Sequence, residues 1–555
     1  MKKQLLQVFM ALGLLLIINV IGSQLYYRFD LTEDKRFTLS EAAIATTSTF
    51  ETPVIVDVLL GGSLPSEFEK LKTESLLLLG QFKAKNKNIT YNLIDPLEGA
   101  NKREQTISDL QQIGLTPADV TIQEDGKISQ EFVFPWAMVN HGNKTVRVPL
   151  LKNKLGSTSE ERINNSVQQL EYAFADAFTK LSIIEKKKIA VLKGNGELSD
   201  IYMADFLSTL REYYNIGAIT LDSVAYNPKG VLENLNEFDL ALVAKPTEAF
   251  TDAEKYVLDQ FIVNGGKSVW LIDQVAMELD SLLNESGRAI ATPIDLNLKD
   301  FFFRYGIRIN PSLVNDAYNT PIVLASGEGN DSQYNPLPWV YHPMVFSKEN
   351  HPINKNIEAL KLQFASVIDT LKNQNQKTVL LQSSPLSKEE GTPKPLSLTS
   401  MNNKPDVQAY ANSGNYPLAV LLEGAFTSAF KNRVKPVTLS SPKDEGPSNK
   451  MLVVADGDII KNQLRNGRPL ELGYDKWTNS FYGNKEFLLN CIGYMLNDTG
   501  LINIRNKSVV IPLLDSKKVT AQKTKWQVLT IGIPVLLTFL AALGFNMFRK
   551  HKYAS

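Results

Sequence analysis

The chain has 555 residues, enough for two or three domains with sizeable cores. Its 59 lysines and arginines balance 59 aspartates and glutamates, so no net field recruits nucleic acid. One cysteine excludes an internal disulfide framework. With only four histidines beside it, no His/Cys zinc motif is visible, so metal chemistry would have to use carboxylates.

The first apolar segment runs from Leu5 to Ile21. At ~1.5 Å rise per residue it just crosses a hydrocarbon core of ~30 Å. Ile21-Gly22-Ser23 is a poor small-x-small cleavage site, so the segment reads as an uncleaved anchor. Tyr26 and Tyr27 suit the headgroup region, and a polar stretch follows to Ser40.

Val54 to Leu60 is a β-branched run expected to form a buried strand, broken by Gly61-Gly62. Ser66 and Glu69 have capping-box spacing, and Phe68, Leu71, Ser75, Leu78 and Phe82 follow at helical intervals. Ile89 to Ile94 alternates as a strand, so a parallel βαβ unit is expected. A short helix from Thr106 to Ile113 precedes two strands, Phe132 to Asn140 and Lys144 to Leu150. This order is that of a thioredoxin-like domain, but no Cys-x-x-Cys is present to make it redox-active. Ser159 to Leu181 carries one apolar stripe (Ile163, Val167, Leu170, Phe174, Phe178, Leu181) and reads as a connecting helix packed on both domains.

Lys186-Lys187-Lys188 marks the boundary to a second domain, whose first strand is Ile189 to Leu192. Asp239 to Ala244 is a strand, Thr251 and Glu254 form a capping box, Gly265-Gly266 stops that helix, and Ser268 to Ile272 is the next strand. Such alternation implies a doubly wound parallel sheet covered by helices on both faces. From 321 to 449 the composition turns to Pro, Ser, Asn and Gly, with strands near Thr378 to Gln382 and Leu418 to Leu422. It reads as an insertion with flexible loops at Ser387 to Pro395 and Ser440 to Lys450, and His342 and His351 read as loop residues. The fold resumes at Met451 to Asp456, and Asn484 to Leu496 is a final helix.

A linker from Arg505 to Lys525 leads to the second apolar segment, Trp526 to Phe548. Two spans place both ends on one side. Lys2-Lys3 and Arg549-Lys550-His551-Lys552 make that side cytoplasmic, and the bulk of the chain is then extracytoplasmic. Lysines 517, 518, 523 and 525 flank a long domain, and such domains translocate largely regardless of charge. The expected organisation is an anchor with its tail (1–24), a linker (25–50), a thioredoxin-like domain (51–156), a connecting helix (157–185), a second α/β domain (186–504), a linker (505–525), a span (526–548) and a tail (549–555).

Ligands of open α/β sheets bind beyond the carboxyl ends of strands. Three such loops are polar here: Gly194-Asn195-Gly196-Glu197, Asp273-Gln274 and Asp456-Gly457-Asp458. Glu197, Asp273, Asp456 and Asp458 are therefore candidates to converge on a cation or sugar, or to act as acid and base. The competing reading is that they cap the following helices or form turns. There is no phosphate-binding Gly-x-x-x-x-Gly-Lys-Ser/Thr loop and no Gly-x-Ser-x-Gly elbow. Cys491 lies in an apolar helical stretch and reads as a small buried side chain. No catalytic, cofactor or metal residues are expected.

Several segments resemble the gliding-motility GldG family and its ABC-transporter auxiliary relatives. They are Tyr27-Arg28-Phe29-Asp30-Leu31-Thr32 through Ser40, Leu64-Pro65-Ser66-Glu67-Phe68, Ile94-Asp95-Pro96, Phe261 to Lys267, Val453 to Asp458 and Asn484-Lys485-Glu486-Phe487. The similarity spans essentially the whole chain. It implies a Bacteroidota inner-membrane protein with a periplasmic domain, acting with a separate ATPase and a multi-span permease in gliding. It also implies that the second domain is glutamine-amidotransferase-like. No strand end carries that fold's cysteine, so the activity is not carried over. Asp222-Ser223-Val224, Asp280-Ser281-Leu282 and Asp369-Thr370-Leu371 resemble Bacteroidota O-glycosylation sites. The expected role is a non-catalytic transporter subunit. Alternatives are a glycan- or peptide-binding module or, last, a membrane-tethered carboxylate hydrolase.

Overall fold

Runs of Val, Ile and Leu set the central strands of the larger sheet, because residues buried on both faces of a strand leave no polar alternation. A computed structural model describes residues 13, 38–99, 103–124, 127–152, 156–326, 333–348, 351–402, 407–411, 413–496, 502, 504 and 516–553. The chain divides into two units, residues 1–508 and 509–555. The first apolar segment, apart from Gly13, lies outside the described residues.

The first sheet has the order β2-β1-β5-β6, with β1 (Val54–Val58), β2 (Ile89–Leu93), β5 (Trp136–His141) and β6 (Lys144–Pro149). β1 runs parallel to β2 and antiparallel to β5, and β6 is antiparallel to β5. Helices α1 (Glu41–Thr47), α2 (Ser66–Lys85) and α4 (Ser159–Ser182) cover one face, where Val54, Val56, Phe68, Phe82, Phe174 and Phe178 share a core. Helix α3 (Arg103–Gln112) lies on the other face, where its Ile107 and Leu110 pack with Leu59, Leu115 and Phe134. A separate hairpin, β3 (Ala118–Glu124) and β4 (Lys127–Val133), was not expected, and Phe134-Pro135 separates it from β5.

Two local expectations fail in α2. Pro65 is the N-cap and no side chain caps the helix, so Ser66 is its first residue rather than a capping-box serine. Glu69 pairs with Lys72 instead. The buried stripe passes through Leu79, with Leu78 only partly buried. By contrast, Thr251 and Glu254 make both bonds of a capping box. Helix α4 packs chiefly in the first core. It reaches the helix Ala204–Tyr213 of the second domain through polar contacts: the Tyr213 hydroxyl donates to Asp176 over 2.5 Å, and Lys180 pairs with Asp176 and Glu212.

The second sheet contains β7 (Lys188–Lys193), β8 (Asn215–Thr220), β9 (Leu240–Ala244), β10 (Lys267–Leu271), β11 (Gln376–Gln382), β12 (Pro417–Thr427) and β13 (Glu445–Val454) in the order β11-β12-β13-β10-β9-β7-β8. The five strands from β8 to β13 are parallel, and β12 and β11 extend the sheet antiparallel. Side chains alternate between two cores. Val191, Leu242, Leu271 and Val454 face α5 (Ala204–Tyr213) and α9 (Asn484–Met495). Leu192, Val243, Trp270 and Val453 face α6 (Pro228–Leu235), α7 (Asp252–Val263) and α8 (Lys299–Tyr305). Cys491 is buried in α9.

Segment 321–449 is therefore more than an insertion, since it supplies β11 and β12. The loops expected at Ser387–Pro395 and Ser440–Lys450 include strands. Ser387–Gly391 pairs with Ser312–Asp316, Lys394–Ser397 pairs with Arg288–Pro293, and β13 begins at Glu445. Polar residues mislead there because these strands are half-exposed. His342 is buried in the strand Gln333–Val345 rather than in a loop, whereas His351 caps a short turn.

In the second unit, α10 (Ser516–Gln527) continues through a π turn at Val528–Gly532 into α11 (Ile533–Tyr553). The linker expected from Arg505 to Lys525 is thus helical from Ser516 onward. Ala521–Lys552 is long and apolar enough to cross a membrane.

Candidate functional site

Each parallel strand ends at the same edge of the second sheet, so the loops after β9, β10 and β13 are brought together irrespective of their sequence separation. Lys245 follows β9, Asp273 follows β10, and Asp456 and Asp458 follow β13. The carboxylate oxygens of Asp273, Asp456 and Asp458 lie within 4.8 Å of one another. All are buried, at 8%, 0% and 5% exposure respectively.

Backbone amides hold two of them. Gly457 N–H donates to Asp273 over 2.5 Å, and Asp456 accepts from the N–H groups of Asp458 and Gln363, each over 2.7 Å. Asp456 thereby caps the short turn Gly457–Ile460. Position 457 must be small, because a Cβ there would lie 2.7 Å from the Lys245 side chain.

The charge is met from inside. The Lys245 ammonium, 7% exposed, lies 2.7 Å from Asp458 and 3.1 Å from Asp273, and it also pairs with Glu278. Lys461 adds a second cation, 3.0 Å from Glu278 and 3.2 Å from Asp458. Lys245 sits at φ 52, a left-handed conformation that costs a non-glycine residue about 1 kcal/mol or more. That strain is offset by three carboxylate partners for one ammonium.

Burial pushes the Asp273 carboxyl up to about 6, with the charge of Asp458 adding and Lys245 opposing. Burial and the charges of Asp273 and Asp458 hold Asp456 well above the usual carboxylate range, which favours its neutral form. Burial would also raise Glu278, but the ammonium groups of Lys245 and Lys461 bring it below its ordinary value. Lys245 itself is raised. Burial alone would lower it, and Asp273, Asp458 and Glu278 more than compensate.

Glu197 does not join this group. Its carboxylate accepts from the Asn195 N–H over 2.8 Å, and its charged neighbours are Lys193 and Asp222. Burial raises its pKa. Sequence reasoning missed Lys245, Glu278 and Lys461. Lys461 stands three residues beyond Asp458, which was a usable signal, but nothing in the sequence links position 245 or 278 to 458.

The spacing of the three aspartates is close to the ~5–5.5 Å of a paired nucleophile and acid in retaining glycosidases. Their environment differs from such a site. Each carboxylate is buried and engaged by an ammonium or a backbone N–H. A hard divalent cation would want six or more oxygen ligands, and Lys245 already stands among these oxygens. The arrangement is suited to fixing three strand-end loops to one another.

Residues 186–491 match the family model described as ABC-type uncharacterized transport system. Residues 33–140 match a domain family of unknown function. An uncharacterized protein of Borreliella burgdorferi is 20% identical over 533 residues, which covers 95% of this chain and 94% of that protein. Among solved structures, the mmIFT52 N-terminal domain aligns at 14% identity with a TM-score of 0.31, over 56% of this chain and 97% of that domain. A putative ThuA-like protein from Parabacteroides merdae aligns at 10% identity with a TM-score of 0.27, over 56% of this chain and 90% of its own.

Proposed function

We propose that this chain, which belongs to the family described as ABC-type uncharacterized transport system, is a non-catalytic, membrane-anchored accessory subunit working beside a separate ATPase and a multi-span permease. The observation that carries the non-catalytic reading is the internal neutralisation of the strand-end carboxylates by Lys245 and Lys461. A hydrolase needs an exposed acid and base, and a metal enzyme needs free ligand oxygens. The burial and pairing of Asp273, Asp456 and Asp458 support neither role for them.

The order β2-β1-β5-β6 with β5 antiparallel supports a thioredoxin-like first domain. The five parallel strands between two helical layers support an amidotransferase-like second domain. Cys491 sits in a helix and burial raises its thiol pKa, so cysteine chemistry has no place in it. The apolar stretch Ala521–Lys552 supports membrane anchoring. A second span at the N-terminus, a periplasmic bulk, cytoplasmic ends and a role in gliding extend this reading, as do the domain limits given above. Ser223, Ser281 and Thr370 are exposed, which suits glycosylation at those positions.

The test is affinity purification of the tagged full-length chain from its native membrane in mild detergent, followed by mass spectrometry. An ABC ATPase and a multi-span permease should co-purify. Repeated recovery of the chain alone under several gentle conditions would refute the accessory role.

A further inference from the structure

A concavity lies between the first sheet with its helix α4 and the segment that runs from Glu471 into the first turns of α9. Its volume is about 350 Å³, within the ~300–1,000 Å³ of small-molecule sites. Both halves of the chain contribute walls: Trp136, Tyr172 and Gln169 on one side, Phe481, Tyr482 and Glu471 on the other.

The wall's cations are already engaged. Lys180 pairs with Asp176 over 2.9 Å, Lys485 with Glu471 over 3.5 Å, and Lys152 with Glu486 over 3.6 Å. The Arg147 guanidinium donates to the Ile113 carbonyl over 2.5 Å. With four basic and four acidic side chains in its wall, the cavity has no net charge to hold an anion or a cation. What remains is a set of amphipathic aromatic rings beside polar groups with spare acceptor and donor capacity. Trp136 is fixed in place by donating its indole N–H to the Thr116 carbonyl over 2.7 Å. Gln169 presents a side-chain amide that has no partner among the described residues.

We propose that this cleft binds a short neutral saccharide. The aromatic rings pack on the apolar C–H faces of the sugar, and Gln169 with the paired carboxylates takes its hydroxyls. A charged ligand would have to break ion pairs, and a purely apolar one would leave buried polar groups unpaired. A ligand seated there contacts both halves and fixes their arrangement. The inference rests on the cleft alone and does not depend on the identity of transporter partners.

Isothermal titration of the full-length chain in detergent with neutral gluco- and N-acetylhexosamine di- and trisaccharides tests it. One saturable site per chain is expected for at least one probe. Gln169→Ala, a helix-compatible change, and Tyr172→Leu, which removes the packing ring, should each weaken that binding, roughly tenfold for a lost contact of ~1.4 kcal/mol. Circular dichroism would show both variants folded. Absence of saturable binding by every saccharide would overturn the proposal. So would binding that Gln169→Ala and Tyr172→Leu leave intact, or tighter binding of neutral tripeptides at the same site.

Discussion

Replacing Lys245 by methionine removes the ammonium around which the strand-end loops close. At an effective dielectric of ~20, its gross attraction is about 6 kcal/mol to Asp458 at 2.7 Å and about 5 kcal/mol to Asp273 at 3.1 Å. Most of this is offset by the cost of desolvating the ions. Deleting one partner of a buried pair leaves a net loss of ~3–5 kcal/mol. Lys461 still serves Asp458 and Glu278, so the low end, ~3 kcal/mol, is expected. Asp273 keeps no cation within ion-pair distance among the described residues.

The sign of the pH dependence follows from that orphan. Burial holds the Asp273 carboxyl at about 6 in the folded chain, above its ordinary 3.8, so the folded state binds the proton more tightly. Loss of Lys245 raises the folded value further. The stability gap between variant and wild type should then be smallest near pH 5, where Asp273 is protonated in both, and widen as pH rises above 6. Thermal unfolding of the full-length protein followed by tryptophan fluorescence reads this. At pH 8 the midpoint should fall by about 6 °C, taking the lower end of ~2–4 °C per kcal/mol. Lys245→Met/Asp273→Asn should recover part of the loss. A gap under ~1 kcal/mol at pH 8, or one independent of pH, would refute the reasoning that the cluster is an internal lock.

Gly457→Ala should destabilise by ~1–3 kcal/mol through overpacking, since its Cβ would lie 2.7 Å from Lys245; an unchanged denaturation midpoint would contradict the close approach. Thr251→Ala should cost about 1 kcal/mol as a true cap, whereas Ser66→Ala should stay within ~0.5 kcal/mol. Equal losses in urea unfolding would restore the capping box that the sequence suggests for Ser66. His342 is buried with neither ring nitrogen hydrogen-bonded among the described residues, and burial holds its pKa well below 6.5. The unfolded chain gains this proton first, so stability is lost as pH falls below 6.5. His342→Phe should gain on the wild type by about 1.4 kcal/mol per pH unit below that point. Parallel melting curves between pH 7 and pH 5 would sink the assignment.

The strands that read most clearly in the sequence are those buried on both faces, such as Leu240–Ala244 and Lys267–Leu271, where apolar runs have no competing interpretation. Edge and half-exposed strands were lost. Asn215–Thr220 lies at one edge of the sheet with a glycine at its centre, and Ser387–Gly391 is built from Ser, Lys, Glu and Gly. Both draw their pairing from tertiary contacts rather than from local propensity. At the candidate site, the three aspartates were visible because strand ends can be located from apolar runs. Their neutralising partners were not, because Lys245 and Glu278 reach them only through the crossover order of the sheet. Glu197 shows the converse. It shares the strand-end position, but its carboxylate turns back on its own loop.

We propose that this chain is an accessory part of a transporter and not an enzyme in its own right. The most direct measurement is native mass spectrometry of the assembly extracted from the native membrane. One fixed stoichiometry containing this chain, a multi-span permease and an ABC ATPase is expected. A chain that appears only as itself, or only as copies of itself, would contradict it.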